Sequence, residues 1–149
     1  MMAAEAMQAA FKELKKILPE MTSAVKGTLV IGTVKGDIHD LGKNIVAALM
    51  ENSGYRVIDL GKDVEPEAFV AAVKDHHADL AGLCSLMTTT LPEMEHTVKA
   101  LKEETPRVHI LVGGAVVTQD YASRIGAPNY CRDGIAAVKI ADRLTGKEE

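Results

Sequence analysis

Aromatic residues are scarce in this chain of 149 residues, which has no tryptophan, three tyrosines and two phenylalanines. Proteins that bind single-stranded nucleic acid stack the bases on aromatic side chains in a basic groove. The formal net charge is −4, so an excess of basic residues is missing as well. Nucleic acids and anionic membranes attract basic surfaces, and we therefore expect neither as a partner.

Cysteines and long apolar runs are also few. Cys84 and Cys131 are the two cysteines, too few for a disulfide framework and not spaced as a metal-binding pair. No apolar run approaches the roughly 20 residues that a membrane helix needs. The N-terminus lacks the charged and then apolar layout of a signal peptide. We expect a cytoplasmic protein that does not act in a membrane.

The composition is instead that of one domain with a substantial core, because 47% of the residues are hydrophobic and domains commonly have about 100–150 residues. Apolar residues recur at three- and four-residue spacing from Ala3 to Leu18. This spacing predicts a helix that ends before Pro19. We predict that residues 1–26 form this helix and a linker, and that residues 27–149 form the main domain.

Beyond Gly27, short β-branched runs alternate with helical patterns. Because each strand is followed by a helix, the strands are expected to be parallel, with right-handed crossovers. The predicted fold class is α/β, a doubly wound, flavodoxin- or Rossmann-like open parallel sheet of five strands, preceded by one N-terminal helix. The strands are predicted at 28–34, 55–60, 80–86, 108–112 and 129–131, and the helices at 41–52, from 66, at 91–104, at 118–125 and from the capping Asp133 to 144.

Ligands of open α/β sheets bind beyond the carboxyl ends of the strands, at the point where the strand order reverses. If the order is 2-1-3-4-5, this point lies between the first and third strands. Three loops reach it, at residues 35–44, 87–91 and 113–115. A plain scaffold would not require the composition of these loops, so the sequence predicts a binding site there.

The first loop contains a histidine that is suited to bind a metal. Gly36 and Gly42 frame it, and Asp37 precedes His39 by two residues. A metal-bound imidazole usually donates its second N–H to a carboxylate. The alternative is that Asp40 caps the next helix and that His39 is an exposed loop residue. The flanking glycines, the carboxylate and the location favour the metal site.

Two common phosphate-binding motifs do not fit this loop. A P-loop has four residues between its glycines, whereas five separate Gly36 from Gly42. Asn44 also stands where a serine or threonine would hold magnesium. No Gly-x-Gly-x-x-Gly follows the first strand, so the dinucleotide fingerprint is missing too.

The other two loops carry hydroxyls and glycines. Met87 leads into three threonines, Thr88 to Thr90, of which one is expected as a helix N-cap. The remaining hydroxyls are either turn residues or partners of a ligand or of the Asp37–His39 pair. Gly113, Gly114 and Ala115 permit close approach of a bulky ligand, or simply form a tight turn.

Taken together, these segments resemble the cobalamin-binding motif set Asp-x-His-x-x-Gly, Ser-x-Leu and Gly-Gly. The matching stretches are Asp37-x-His39-x-x-Gly42, Cys84-x-Leu86 running into Thr88-Thr89-Thr90, and Gly113-Gly114, and order and spacing agree over roughly residues 28–144. The sequence is thus similar to the corrinoid-binding domain of methyltransferase corrinoid proteins and of cobalamin-dependent methionine synthase. The resemblance implies a cobalamin or related corrinoid, bound base-off, with its nucleotide tail between sheet and helices and His39 as the lower cobalt ligand.

The resemblance also implies roles for individual residues. Asp37 is expected to hydrogen-bond His39, and Thr90 matches the hydroxyl that completes a His–Asp–hydroxyl relay; these three are the implied catalytic residues. Cys84 replaces the usual serine, and because a thiol is a weaker hydrogen-bond partner, we hypothesise a preference for a corrinoid with a different lower base. The further implied cofactor contacts are Gly36, Ile38, Asp40, Gly42, Cys84, Leu86, Met87, Thr88, Gly113, Gly114, Ala115, Tyr130 and Gly134.

The implied function is that of a methyl carrier. Such a protein takes a methyl group on cobalt from a substrate:corrinoid methyltransferase and delivers it to an acceptor methyltransferase, and a reductive activase is a further expected partner. It is a component of one-carbon metabolism and not a complete enzyme. The N-terminal helix then resembles the last helix of a helical cap.

Three alternatives remain open. One is the small subunit or domain of an adenosylcobalamin-dependent mutase, which shares the Gly-Gly motif. Another is a corrinoid-sensing regulatory module, although no DNA-binding helix-turn-helix is visible. The third is a receiver- or flavodoxin-like module without corrinoid, which is disfavoured because Cys84 stands where a receiver has its phosphorylatable aspartate.

Overall fold

The computed structural model of the protein describes residues 6–10, 12 and 25–147. Residues 6–10 and 12 are helical, in agreement with the predicted N-terminal helix, whose other residues lie outside the described residues. Gln8 approaches the main domain, where its side-chain amide donates to the carbonyl oxygen of Asn44 at 3.4 Å. Within the part of the chain that the structure describes, no helix has the length and apolar character needed to cross a bilayer.

Five strands alternate with five helices from residue 28 onward, as the sequence pattern predicts. Most of the observed ends lie within one or two residues of the predicted ones. The strands are β1 (Thr28–Thr33), β2 (Arg56–Asp59), β3 (Leu80–Cys84), β4 (His109–Gly113) and β5 (Asn129–Tyr130). The helices are α1 (Leu41–Asn52), α2 (Pro66–His76), α3 (Leu91–Glu104), α4 (Gln119–Arg124) and α5 (Gly134–Leu144), with a 3₁₀ turn at Thr88–Thr90.

The strands form one parallel sheet in the order β2-β1-β3-β4-β5. The predicted topology is therefore confirmed, and the order reverses between β1 and β3 at the expected place. Register pairs Thr33 with Cys84, and Cys84 with Gly113. The carboxyl ends of β1, β3 and β4 consequently meet at one edge of the sheet.

Two apolar layers cover the two faces of the sheet. Side chains alternate between the faces of a strand, so that Val30 enters the layer under α2 and α3 while Leu29 and Ile31 enter the layer under α1 and α5. The first layer contains large side chains such as Phe69 and Met94. The second contains many small ones, including Ala47, Ala137 and Ala141. The face under α1 and α5 therefore retains empty space, which is described below.

The third strand ends two residues earlier than predicted, at Cys84 instead of Leu86. The reason is that the chain leaves the sheet to bind a side chain. The backbone N–H of Leu86 donates to Oδ2 of Asp37 at 2.7 Å, and this bond takes the place of a ladder hydrogen bond.

Candidate functional site

The three loops that the sequence analysis selected converge beyond the carboxyl ends of β1, β3 and β4. Two backbone hydrogen bonds extend the sheet there, from Val34 N to Cys84 O at 3.0 Å and from Ser85 N to Gly113 O at 3.1 Å. These bonds fix the first residues of all three loops relative to one another.

His39 is held by a buried carboxylate. The side chain of Asp37 is completely buried, whereas that of His39 is 51% exposed. The Nδ1 atom of His39 lies 2.9 Å from Oδ1 of Asp37, and the backbone N–H of His39 donates to the same oxygen at 3.0 Å. An ionised carboxylate only accepts hydrogen bonds, so the proton of the neutral ring is assigned to Nδ1. The Nε2 atom then keeps its lone pair for a metal.

The second carboxylate oxygen of Asp37 accepts two more hydrogen bonds, from Leu86 N at 2.7 Å and from the hydroxyl of Thr90 at 3.1 Å. Burial by itself would raise the pKa of Asp37. The bonds from Leu86, His39 and Thr90 favour the ionised form, and together they lower the pKa below its ordinary value. The site therefore contains a buried negative charge directly behind the exposed imidazole.

The loop that carries His39 is held in place by hydrogen bonds to its backbone groups. The hydroxyl of Thr33 donates to the carbonyl oxygen of His39 at 2.9 Å. Asp63 accepts from Gly36 N at 2.7 Å and donates its own N–H to the carbonyl oxygen of Asp37 at 3.0 Å. Gly36 has a positive φ of 84°, which a glycine adopts without strain. These bonds position the histidine before any ligand arrives.

Thr90 occupies the N-cap position of α3, where a threonine was predicted, but its side chain forms no capping hydrogen bond. Its hydroxyl lies close to Asp37, to Met87 O and to Ser85 Oγ instead. The predicted contact of this hydroxyl with the Asp37–His39 pair is thus present, whereas Thr88 and Thr89 are exposed in the 3₁₀ turn. The other predicted cap is observed, because Asp133 accepts from Ala136 N at 2.8 Å.

A cavity of about 390 Å³ opens next to the His39 loop, between the sheet and the pair α1 and α5. Two of the glycines that line it are closely packed, since a Cβ atom on Gly134 would overlap Leu49 and one on Gly113 would lie 3.0 Å from Cys131 O. Eight of the predicted cofactor contacts line it, namely Gly42, Cys84, Leu86, Gly113, Gly114, Ala115, Tyr130 and Gly134. The others, namely Gly36, Asp37, Ile38, His39, Asp40, Met87, Thr88 and Thr90, lie outside this lining, in the His39 loop and the turn after β3.

Both cysteines contribute to the cavity wall. Burial raises the pKa of Cys84 and that of Cys131 to about 12, so that both thiols are neutral at physiological pH. A neutral buried thiol behaves as a small apolar group with a weak hydrogen-bonding capacity. Cys131 directly follows β5 and lies in this wall.

A buried lysine that was not predicted from the sequence lies in the same wall. The side chain of Lys43 is only 3% exposed, and its Nζ lies 2.6 and 2.8 Å from the carboxylate oxygens of Asp59, which is 36% exposed. Asp59 also accepts from Gly61 N at 2.8 Å. This pair ties the first turn of α1, just after His39, to the end of β2. The only signal in the sequence was that Lys43 shares a helical face with Ala47 and Met50.

We predict that replacing Asp59 destabilises the protein more than replacing its partner Lys43. Asp59→Asn leaves a buried ammonium without its counter-ion, which costs about 3 kcal/mol of unfolding free energy. Lys43→Met removes the buried charge and leaves the Asp59 carboxylate accessible to water. We expect this variant to lose about 1 kcal/mol of unfolding free energy. Urea unfolding of both apoprotein variants measures the difference, and a larger loss for Lys43→Met would contradict it.

Comparison with known proteins gives a consistent result. The B12 binding domain family matches residues 27–138. A dimethylamine corrinoid protein of Methanosarcina mazei is 44% identical over 97% of this chain and 88% of its own length. Two solved structures are similar at a TM-score of 0.81. One is the methanol:cobalamin methyltransferase complex of Methanosarcina barkeri, 36% identical over 98% of this chain and 56% of that one. The other is the monomethylamine corrinoid protein of the same species, 27% identical over 95% and 65%.

The fold and the site define a corrinoid-binding α/β domain. With a family match over most of its length and relatives above 40% identity, the chain belongs to the B12 binding domain family. The resemblance inferred from the three motifs is thereby confirmed, and the cofactor is a cobalamin or a related corrinoid.

The described residues also fit such a cofactor on their own. No cluster of three or more His, Cys, Asp or Glu side chains among them is arranged to hold a metal ion. A cobalt in a macrocycle brings most of its own ligands with it, so a single histidine such as His39 fits it. Large apolar side chains are exposed around the entrance, at Ile38, Leu41 and Ile135. A flat ring system placed over this face would remove them from water.

Proposed function

We propose that the protein is a methyl-carrying corrinoid protein that shuttles between a substrate:corrinoid methyltransferase and an acceptor methyltransferase. The observation that carries the proposal is the half-exposed imidazole of His39, fixed through Nδ1 by a buried carboxylate beside a large apolar cavity. The relatives, which are named corrinoid proteins of methylamine systems, favour a carrier over a mutase subunit or a regulatory module.

In the proposed complex the cofactor would be bound base-off, and Nε2 of His39 would hold the cobalt from its lower side. When bound, the corrinoid supplies a cobalt centre that accepts a methyl group from one partner and gives it to the next. The cavity under α1 and α5 would receive the nucleotide tail, which makes the lower face free for His39. Ile38 and Leu41 would lie beneath the ring, and Gly42 and Gly134 would admit the tail.

Asp37 and Thr90 would set how strongly His39 binds. The buried carboxylate keeps the proton at Nδ1 and makes Nε2 more electron-rich. The Thr90 hydroxyl stabilises this carboxylate by a hydrogen bond to Oδ2 at 3.1 Å. The relay would thus adjust the proton affinity of the ligand as the charge on the metal changes.

The donor and acceptor methyltransferases would use the same face in turn, namely the side of the corrinoid that faces away from His39, because His39 would occupy the lower side of the cobalt and the methyl group would be carried on the other. A reductive activase would be the third protein that binds this face. We propose a methylated amine as donor, since the relatives named for dimethylamine are 42–44% identical over at least 97% of this chain.

Methyl transfer between purified components tests this assignment. The corrinoid-loaded, reduced protein is mixed with the dimethylamine-specific or the methanol-specific methyltransferase of a Methanosarcina species, each with its own substrate, and methylation is followed by absorption. We expect at least tenfold faster methylation with the dimethylamine enzyme. Methylation by the methanol enzyme alone would refute the donor class, and methylation by neither would refute the carrier role with methylamines.

A further inference from the structure

The lining of the cavity under α1 and α5 differs in polarity between its entrance and its floor. Its polar lining lies at the carboxyl edge of the sheet, where Arg132, Asp133 and the amino end of α5 surround the opening. Register places Cys84 and Gly113 side by side in the first row below this edge. The next row of the same face consists of Ile31, Gly82 and Leu111. The polarity of the wall therefore falls from the entrance to the floor.

The floor offers no strong hydrogen-bonding side chain. Gly82 presents no side chain there, and even a Cβ atom at this position would lie 3.2 Å from the aliphatic side chain of Ile31. The strand backbone is engaged in the parallel ladder on both sides, so its N–H and C=O groups are not free. Two groups near the floor have hydrogen-bonding capacity, the thiols of Cys84 and Cys131, and both are neutral and weak.

The buried ammonium of Lys43 does not change this. It lies in the cavity wall, but its charge is neutralised by two short contacts with Asp59. A ligand group that reaches the floor accordingly meets aliphatic carbon and sulfur. A polar group buried there loses its bonds to water without replacement, which weakens binding on the order of tenfold for each group.

We propose that this floor selects the lower base of the corrinoid, favouring apolar aromatic bases over purines. Dimethylbenzimidazole is then among the favoured bases, which replaces the preference for a different base that the exchange of serine for Cys84 suggested from the sequence. The inference rests on the proposed tail-binding role of the cavity. The base is the last group of the nucleotide tail and reaches deepest. A dimethylbenzimidazole or a phenolic base presents mostly carbon, whereas adenine presents an exocyclic amine and several ring nitrogens that the floor leaves unsatisfied. Cys84 is the specificity-determining residue, because a hydroxyl at its place would supply the missing partner.

The test measures dissociation constants of the apoprotein for four corrinoids, by the absorption change on binding. They are cobalamin, a cresol-based cobamide, an adenine-based cobamide and cobinamide, which has no base and reports the contribution of the ring alone. We expect cobalamin and the cresol derivative to bind at least tenfold more tightly than the adenine derivative. Equal affinity for the adenine derivative and cobalamin would overturn the inference while leaving the carrier function intact.

Cys84→Ser supplies the matched variant, because it exchanges the thiol for a smaller but stronger hydrogen-bonding group. We expect this variant to lower the dissociation constant of the adenine derivative about fivefold. The dissociation constant of cobalamin should fall less, and that of cobinamide should not change. If the variant binds all four ligands as the parent does, Cys84 has no part in the selection and the assignment of this residue is wrong. If the parent binds none of the four, both the inference and the proposed function fail together.

Discussion

His39→Ala is expected to convert the corrinoid-loaded protein from six-coordinate to five-coordinate cobalt while leaving the fold unchanged. The imidazole is half-exposed and contributes little to the core, so its removal should alter the unfolding free energy by at most about 0.5 kcal/mol. Its loss leaves the lower cobalt face without a protein ligand, and the absorption spectrum of bound methylcobalamin should shift to that of the base-off form. Asp37→Asn should weaken ligation 10- to 100-fold, because the amide no longer fixes the ring as a carboxylate does.

The origin of the lower nitrogen can be read directly in the Co(II) state. In protein labelled with ¹⁵N and loaded with unlabelled cobalamin, a nitrogen from His39 splits each electron paramagnetic resonance line into two, whereas a nitrogen from the cofactor splits it into three. His96→Ala is the matched control, since His96 is an exposed histidine beside Glu93 on α3. A three-line pattern, or a six-coordinate spectrum that persists in His39→Ala, would reject His39 as the ligand.

Much of the fold and the centre of the site could be predicted from the sequence. The alternation of β-branched runs with helical patterns is local information, and parallel order follows from it. Because parallel strands end at one edge of the sheet, the topology places the loops after β1, β3 and β4 next to one another. Asp37, His39 and Thr90 lie in these loops and are therefore brought together. The contact of Thr90 with Asp37 is such a consequence.

The remaining features depend on packing that no local pattern reports. Lys43 was missed because lysines are normally solvated, and its burial becomes understandable only when β2 places Asp59 beside it. Ser85 is completely buried and its hydroxyl lies 2.8 Å from that of Thr90, a contact that depends on how the chain turns out of β3. The apolar floor around Gly82 is likewise a property of three strands in register, and not of any one of them.

Gly114→Ala is expected to be the most destabilising change in the site. Gly114 has a φ of +129°, and a Cβ atom there would overlap the carbonyl oxygen of Ser85 and lie 2.9 Å from its nitrogen. Both are backbone atoms, which cannot rotate away. Overpacking and the unfavourable backbone conformation together should cost about 3 kcal/mol or more of unfolding free energy. The neighbouring N–H of Leu86 holds Asp37, so corrinoid binding should weaken as well.

Gly61→Ala separates the two contributions. Gly61 also has a positive φ, of 87°, but a Cβ atom at this position meets nothing within 4 Å. This variant carries the conformational strain without the overlap, and we expect a loss of about 1 kcal/mol with unchanged corrinoid affinity. Urea unfolding and corrinoid titration of both apoproteins make the comparison. If Gly114→Ala is no less stable than Gly61→Ala, the close approach of Gly114 to Ser85 is not what requires a glycine there.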